Sequence, residues 1–212
     1  MSHATRAADL LIDKLAPSDR SVKYLQSTME AGKLARSGTR EQILAIARRL
    51  FVDQGYAGTS IVDLARELGT TTAALYYHFP SKADILAELL AGPLEAFSRV
   101  AEHAADLPPE ELLTELVDLT IEWRDLIRLV TDEPAVRVAL GDDAERRSQQ
   151  LVAPIVAALA GQRPIRAARI RAWAAFAVVR DGTLAALRDT DPPVLPADRD
   201  EILAAAVRAL FN

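Results

Sequence analysis

Residues 59–82 read TSIVDLARELGTTTAALYYHFPSK and contain two short helical patterns joined at Gly69. In the first pattern Ile61, Leu64 and Leu68 recur at helical spacing, so one face is apolar and the opposite face is charged. Glycine readily adopts the left-handed backbone angles that end many helices. The pattern therefore predicts an amphipathic helix followed by a tight turn at Gly69.

The second pattern is shorter and follows a threonine cap. The hydroxyl of Thr70 or Thr71 can accept a hydrogen bond from the first turn of this helix. Leu75 and Phe79 lie four residues apart and predict its buried face, and Pro80 prevents a smooth continuation. The outward face then holds small and aromatic residues suited to the major groove of DNA: Thr72, Ala73, Tyr76 and Tyr77.

The same stretch resembles the DNA-binding motif of the TetR family of one-component bacterial transcriptional regulators. The resemblance is carried by Thr59-Ser60, Leu64-Ala65, Gly69, the run AALYYHF at residues 73–79 and Ser81-Lys82. It continues upstream into a first helix with Ile43, Ala47, Leu50, Phe51 and Gly55-Tyr56, and so covers roughly residues 39–90. A match of this length is far more specific than a bare helix-turn-helix pattern.

The resemblance implies an all-α fold with a three-helix helix-turn-helix DNA-binding domain (37–82) and a helical ligand-binding and dimerisation domain (83–212). Apolar residues at helical spacing predict in addition a helical N-terminal extension (1–36), which is not part of the fold that the resemblance implies. The resemblance also implies a transcriptional regulator that binds a palindromic operator as a homodimer through its last two helices. The expected mode of action is repression with release by a small-molecule inducer. This mode is the simplest, because the protein need only block the operator until the inducer releases it.

Two kinds of DNA contact are expected from this motif. The outward face of the second helix is expected to reach base edges and backbone, whereas His78, Lys82, Thr59 and Ser60 are expected to contact phosphates. The resemblance implies the same positions. For Tyr76 the alternative is a core aromatic, and for His78 it is a local pairing at the helix end. The full expected set is Thr59, Ser60, Thr71, Thr72, Ala73, Tyr76, Tyr77, His78 and Lys82.

An inducer pocket is implied between the helices of the larger domain. The bulky candidates for its lining are Phe97, His103, Trp123, Trp173 and Phe176. The alternative is plain core packing, which is the commoner role of apolar residues at helical spacing. We expect an apolar or aromatic ligand, with Arg124, Arg128 or His103 as a possible anchor for one anionic group.

Net charge alone argues against nucleic acid, since it is −5 at pH 7. Its distribution does not: residues 36–82 hold six Lys and Arg against four Asp and Glu, whereas residues 83–212 hold fourteen against 22. The basic excess therefore falls in the candidate DNA-binding segment. The chain has no cysteine, which fits a reducing cytoplasm, and no apolar run approaches the roughly 18 residues of a membrane span.

Residues 1–36 precede the first helix of the motif and allow two interpretations. Arg6, Arg20, Lys23 or Lys33 can form a DNA-contacting arm. Leucines at helical spacing favour instead a pair of helices that cover apolar surface on the same or a partner subunit.

The remainder reads as one helix after another. Gly92-Pro93 predicts a kink or break in the helix that begins after Ser81, because proline cannot donate to the carbonyl of residue 89. The run AWAAFAVV at 172–179 is apolar on every face and is expected to be covered on both sides. Further helices are predicted at 109–129, 133–140, 142–160, 163–190 and 198–211.

Two other classes of protein compete with a regulator. An all-helical enzyme is disfavoured because the three histidines are far apart and no Glu-x-x-His pair, Gly-x-Ser-x-Gly or phosphate-binding glycine loop is present. The same inventory predicts no cofactor and no metal site. A helical adaptor that binds protein or lipid without specific DNA binding is the second alternative, since acidic, alanine-rich helices would serve it equally well.

Overall fold

The computed structural model describes residues 38–162, 164–186 and 196–211. The regular structure of these residues is helical throughout, which confirms the all-α fold class. A boundary between compact units falls between Ala45 and Ile46. The interpretations offered for residues 1–36 lie outside the described residues.

Three helices make up the N-terminal part of the described chain. α1 spans residues 38–54, α2 spans Ile61–Leu68 and α3 spans Thr72–His78. The apolar stripe of α1 is buried, with Ala47 and Phe51 fully inaccessible. Two of these helices are short, so they depend on tertiary packing more than on their own propensity.

α4 runs unbroken from Lys82 to His103, so the chain does not break at Gly92-Pro93, and the kink stays a prediction. Pro93 is buried within the helix, where packing offsets the one backbone hydrogen bond that proline cannot make. Gly92 has a packing role, because a Cβ atom there would lie 2.9 Å from Cη2 of Trp123. The indole of Trp123 lies over the helix where the glycine leaves room.

The C-terminal helices follow the predicted order with some different boundaries. The predicted helix at 109–129 is two helices that meet at Trp123, whose backbone angles (φ −104°, ψ 14°) depart from helical values. The helix predicted to begin at 163 begins instead at 166, and the end predicted for it lies beyond the described residues. The observed elements are a 3₁₀ turn at Ala104–Asp106, then α5 (Pro109–Glu122), α6 (Arg124–Asp132), α7 (Pro134–Leu140), α8 (Asp142–Ala160), α9 (Arg166–Ala177), a π-helical turn (Val178–Gly182), α10 (Thr183–Ala186) and α11 (Pro196–Phe211).

The C-terminal core forms where α4, α5, α8, α9 and α11 meet. Its buried members include Leu112, Leu116, Ile155 and Phe176. The described residues of the single chain leave the outer face of α9 open: Trp173 is 53% exposed, so they do not provide the expected cover on both sides.

Candidate nucleic-acid interface and internal cavity

α2 is held at both ends by local hydrogen bonds. Ser60 and Asp63 form a reciprocal capping box. The N–H of Asp63 donates to the Ser60 hydroxyl at 3.1 Å, and the N–H of Ser60 donates to the Asp63 carboxylate at 3.0 Å. The hydrogen bonds from Ser60, together with Arg66, lower the pKa of Asp63. Ser60 remains exposed at the start of the helix, where a phosphate can reach it.

The turn between α2 and α3 has the predicted chemistry. Gly69 adopts left-handed angles (φ 68°, ψ 31°), and the N–H of Thr70 donates to the carbonyl of Ala65 at 2.9 Å. Of the two candidate threonines, Thr71 is the cap, because its hydroxyl accepts from the Ala74 N–H at 3.2 Å. The turn thus fixes the direction in which α3 leaves α2.

α3 presents its aromatic residues to solvent. Leu75 and Phe79 are 1% and 2% exposed, whereas Tyr76 and Tyr77 are 51% and 70% exposed. The core alternative for Tyr76 is therefore wrong. The outward face also includes exposed Ala73, half-buried Thr72 and half-buried His78, whose ring meets the edge of Tyr77 at a centroid distance of 5.4 Å.

Thr59 does not belong to this outward face. Its side chain is buried, and its hydroxyl lies 2.9 Å from the carbonyl oxygen of Gly55 and 3.2 Å from that of Leu50. The expected phosphate contact of this side chain is therefore wrong. Thr59 instead fixes the α1–α2 turn (residues 55–60) from within, since a buried hydroxyl requires such partners.

Lys82 also has a different position from the one expected. Its ammonium donates to the carbonyls of Tyr56 and Thr59, both at 2.8 Å, and lies 4.1 Å from the centre of the Tyr56 ring. Burial lowers the pKa of Lys82, and the charge of Glu133 partly opposes that change. The ammonium is therefore engaged with the α1–α2 turn, which joins α4 to the helix-turn-helix.

Glu133 approaches the same turn from the junction of α6 and α7. Its carboxylate accepts hydrogen bonds from the N–H of Tyr56 at 3.0 Å and of Ala57 at 3.3 Å. Sequence analysis missed this residue. Glu133 is 77 positions from Tyr56 and 76 positions from Ala57 in the sequence, so no local pattern indicates the contact.

A cavity of about 420 Å³ lies among the C-terminal helices. Of the five bulky candidates, Phe97 and Phe176 line it, whereas His103, Trp123 and Trp173 do not. Most of its wall is aliphatic, a type of residue that the sequence analysis did not single out. Wall residues include Leu90, Leu116, Leu126, Val130, Leu140, Leu151 and Val179.

The three other candidates lie elsewhere for separate physical reasons. His103 pairs with Glu115 at 3.1 Å near the surface, and hydrogen bonding to Glu115 raises the pKa of His103. Trp123 packs over Gly92, and its buried indole N–H has no hydrogen-bond partner among the described residues. Trp173 faces outward on α9. Bulk alone does not distinguish a cavity wall from other packing.

The charged residues of the cavity wall are also not those expected. Arg147, Arg180 and Asp84 line the cavity, whereas Arg124 and Arg128 do not. Arg180 lies on the π-helical turn, donates to the adjacent Asp181 at 2.7 and 3.0 Å, and stands 6.0 Å from the ring of Phe176. A π-helical turn is rare and often found at functional sites, and no feature of the sequence predicts it.

Comparison with known proteins agrees with the geometry of the helix-turn-helix. A family model described as bacterial regulatory proteins of the tetR family matches residues 43–89, which include all of α2 and α3. Residues 43–89 therefore belong to the TetR family. Members of the family are DNA-binding transcriptional regulators and often repressors.

TetR-family relatives of known name share mainly this N-terminal region. AcrR of Shigella flexneri is 43% identical over 51 residues, 24% of this chain and 24% of that protein. The repressor KstR2 of Rhodococcus jostii (strain RHA1) is 38% identical over 92 residues, 42% of this chain and 45% of that protein. The chain thus matches less than half the length of these relatives.

Solved structures extend the likeness beyond residues 43–89 to 82% of the chain. A regulator from Aquifex aeolicus VF5 aligns with a TM-score of 0.68 at 19% identity, covering 82% of this chain and 99% of that one. AmtR of Mycobacterium smegmatis aligns with a TM-score of 0.58 at 26% identity, covering 82% and 86%. The first of these likenesses shows the fold alone.

Two further features of the described residues complete this picture. Within residues 38–162, 164–186 and 196–211, no helix combines the length and hydropathy that a membrane span requires. In that same part of the chain, no cluster of three or more His, Asp and Glu side chains is arranged to hold a metal ion.

Proposed function

We propose that this chain is a transcriptional repressor that binds a palindromic operator as a homodimer and is released by a small, largely apolar ligand. In this proposal residues 37–82 bind DNA and residues 83–212 bind the ligand and the partner subunit. The observation that carries it is α3, a capped helix whose exposed face holds Ala73, Tyr76 and Tyr77.

The chemistry of that face supports direct contact with a major groove. Thr72 and Ala73 offer methyl groups for thymine, and the two tyrosine hydroxyls can reach bases or phosphate oxygens. Exposed Ser60 and the backbone N–H groups at the start of α2 provide a site for phosphate. Thr71 and His78 complete the proposed contact set, from which Thr59 and Lys82 are now omitted.

The exposed apolar face of α9 supports a homodimer. Ile170 and Trp173 are 60% and 53% exposed on α9, and Phe211 at the end of α11 is 57% exposed. Two copies of α9 and α11 packed about a two-fold axis would remove this surface from water. A dimer also supplies a second α3, and we expect the pair about 34–36 Å apart to fit successive major grooves.

The cavity supports an apolar ligand. A volume of about 420 Å³ with Phe97, Phe176 and many aliphatic residues in its wall suits a small apolar or aromatic molecule. Because Arg147 and Arg180 also line it, one anionic group on the ligand would find an oppositely charged neighbour.

Selection of bound fragments from the source genome tests the proposal. The purified protein should enrich fragments that share an inverted repeat, and gel-shift affinity for them should fall steeply with salt. An adaptor or lipid-binding protein would enrich no sequence. Genes beside the enriched fragments would suggest ligands, and a true ligand should release the fragment.

A further inference from the structure

We propose that Glu133 transmits occupancy of the cavity to the helix-turn-helix by holding the backbone of the α1–α2 turn. The inference rests on the proposed function and concerns how its two sites communicate. Glu133 is a positioning residue in this scheme, since it contacts neither DNA nor ligand.

The first observation is the geometry of the carboxylate. One oxygen accepts from the Tyr56 N–H at 3.0 Å and the other accepts from the Ala57 N–H at 3.3 Å. Glu133 therefore holds the donor side of the turn. Lys82 holds the acceptor side, through the carbonyls of Tyr56 and Thr59 at 2.8 Å. Both carbonyl and amide groups of one short segment are thus bound to ionised side chains.

The second observation is the glycine that admits the carboxylate. Gly55 has a positive φ of 80°, and a Cβ atom there would lie 3.0 Å from Oε1 of Glu133. Any other residue would both strain the backbone and crowd the carboxylate. The turn is therefore shaped to receive Glu133 as well as to reverse the chain.

The third observation is the position of Glu133 between two parts of the cavity wall. Ile127 and Val130 line the cavity from α6, and Ala139 and Leu140 line it from α7. Glu133 is the residue at which α6 ends and α7 begins. A molecule that displaces either helix therefore displaces the carboxylate, because close-packed helices move as units and do not deform locally.

A second contact joins α6 to α1, so α6 meets the helix-turn-helix domain at more than one point. Asp125 lies 3.7 Å from Arg48 near the end of α1. This pair is partly exposed and contributes little by itself. Glu133 is the stronger connection because both of its oxygens bind backbone groups, so its movement changes the turn directly.

Amide hydrogen exchange of segment 55–60 in the full-length protein tests the proposal without DNA. Ala87 and Ala91 lie one turn apart on α4 and are both exposed, but only Ala87 lines the cavity. A87W adds an indole at the cavity wall to fill the cavity, and A91W is its matched control. We expect A87W to speed exchange at Tyr56 and Ala57 about tenfold, a change of about 1.4 kcal/mol in local opening, and A91W to leave it unchanged.

Glu133 variants show whether the carboxylate carries the effect. In E133Q an NH2 group replaces one carboxylate oxygen and cannot accept a hydrogen bond from the turn. Amide exchange of the turn should therefore be fast before the cavity is filled, and adding A87W should speed it by less than about twofold. E133D keeps the charge and should restore part of the response. Equal effects of A87W in the wild type and in E133Q would overturn the proposal, as would no effect in the wild type.

A reversible probe guards against general destabilisation by A87W. The dye 1-anilinonaphthalene-8-sulfonate should bind in the cavity of the wild type and should not bind A87W. In the wild type it should speed amide exchange of segment 55–60, while the amides of α5 stay protected. If the dye occupies the cavity and the segment does not respond, the proposal is wrong. Because no operator is needed, failure here is distinct from failure to select DNA fragments.

Discussion

Exposure separates two kinds of residue in the helix-turn-helix. Tyr76 and Tyr77 are open to solvent, whereas Thr59 and Lys82 hold the α1–α2 turn from within. A substitution in the first group should change binding without changing the fold. A substitution of Thr59 or Lys82 should change both DNA binding and stability, because these side chains donate hydrogen bonds to buried backbone carbonyls.

We expect Y77A to weaken operator binding by about 1–3 kcal/mol and to leave the free energy of unfolding within about 0.5 kcal/mol of the wild type. The side chain is 70% exposed, so its loss opens no cavity. Gel-shift titration and chemical denaturation measure the two quantities. V138A removes a side chain that is 81% exposed on α7 and should change neither. Unchanged operator affinity in Y77A would remove Tyr77 from the interface.

His103 gives the stability of the folded chain a pH dependence of known sign. Its hydrogen bond to Glu115 raises its pKa in the folded state, so folding is favoured by protonation. The contribution is complete below the unfolded pKa of about 6.5 and is lost as pH rises through the folded value.

As pH rises from the unfolded pKa of His103 to its folded pKa, the wild type should therefore lose stability relative to H103Q. Thermal unfolding at a series of pH values measures the difference, and proton NMR of the imidazole reports the titration itself. A midpoint at or below that of an unfolded peptide would contradict the assignment.

At the scale of the element, the ends of the short helices carry most of the local information. Gly69, Thr71 and the capping box of Ser60 are hydrogen-bonding devices that act within a few residues. The pattern predicts them because both partners lie in one short segment. Longer elements behave differently: α4 continues through Pro93 and the predicted 109–129 helix divides at Trp123, and the indole of Trp123 lies against Gly92.

A pair of glycines isolates the effect of backbone angle. A Cβ atom added at Gly38 or at Gly69 would have no described neighbour within 4 Å, but only Gly69 has a positive φ, at 68°. G69A should destabilise the protein by about 1–2 kcal/mol, since a left-handed alanine is strained. G38A should be neutral or stabilise by at most about 1 kcal/mol, because alanine favours the helix. Denaturant titration of both variants measures the contrast, and equal effects would show that backbone angle is not the cause.

For the whole molecule, the outer face of α9 is the feature that the described part of a single subunit leaves unexplained. The sequence indicated a helix apolar on every side, and the structure covers one side with α8 and α11. Ile170 and Trp173 remain on the other. A second copy of the chain is the occupant that the proposed function requires.

W173D should therefore convert a dimer to a monomer without unfolding it, because a charge in an apolar interface is costly and Trp173 is half exposed in the subunit. Sedimentation velocity measures the change. V138D places the same charge on an exposed valine of α7 and should remain dimeric. A dimeric W173D would exclude this face, and a monomeric wild type would exclude the dimer. Loss of dimer should also weaken operator binding, since only one half-site is then engaged.

Local sequence by itself determined the all-helical class, the helix-turn-helix, the Gly69 turn and the exposed face of α3. Each depends on periodicity or on partners a few residues apart, where chain geometry leaves few alternatives. Tertiary structure alone decided the contacts of Lys82 and Glu133, the division at Trp123, the π-helical turn beside Phe176 and the walls of the cavity. These features join distant segments, and whether a lysine, glutamate or tryptophan reaches solvent, backbone or another helix depends on how the helices pack.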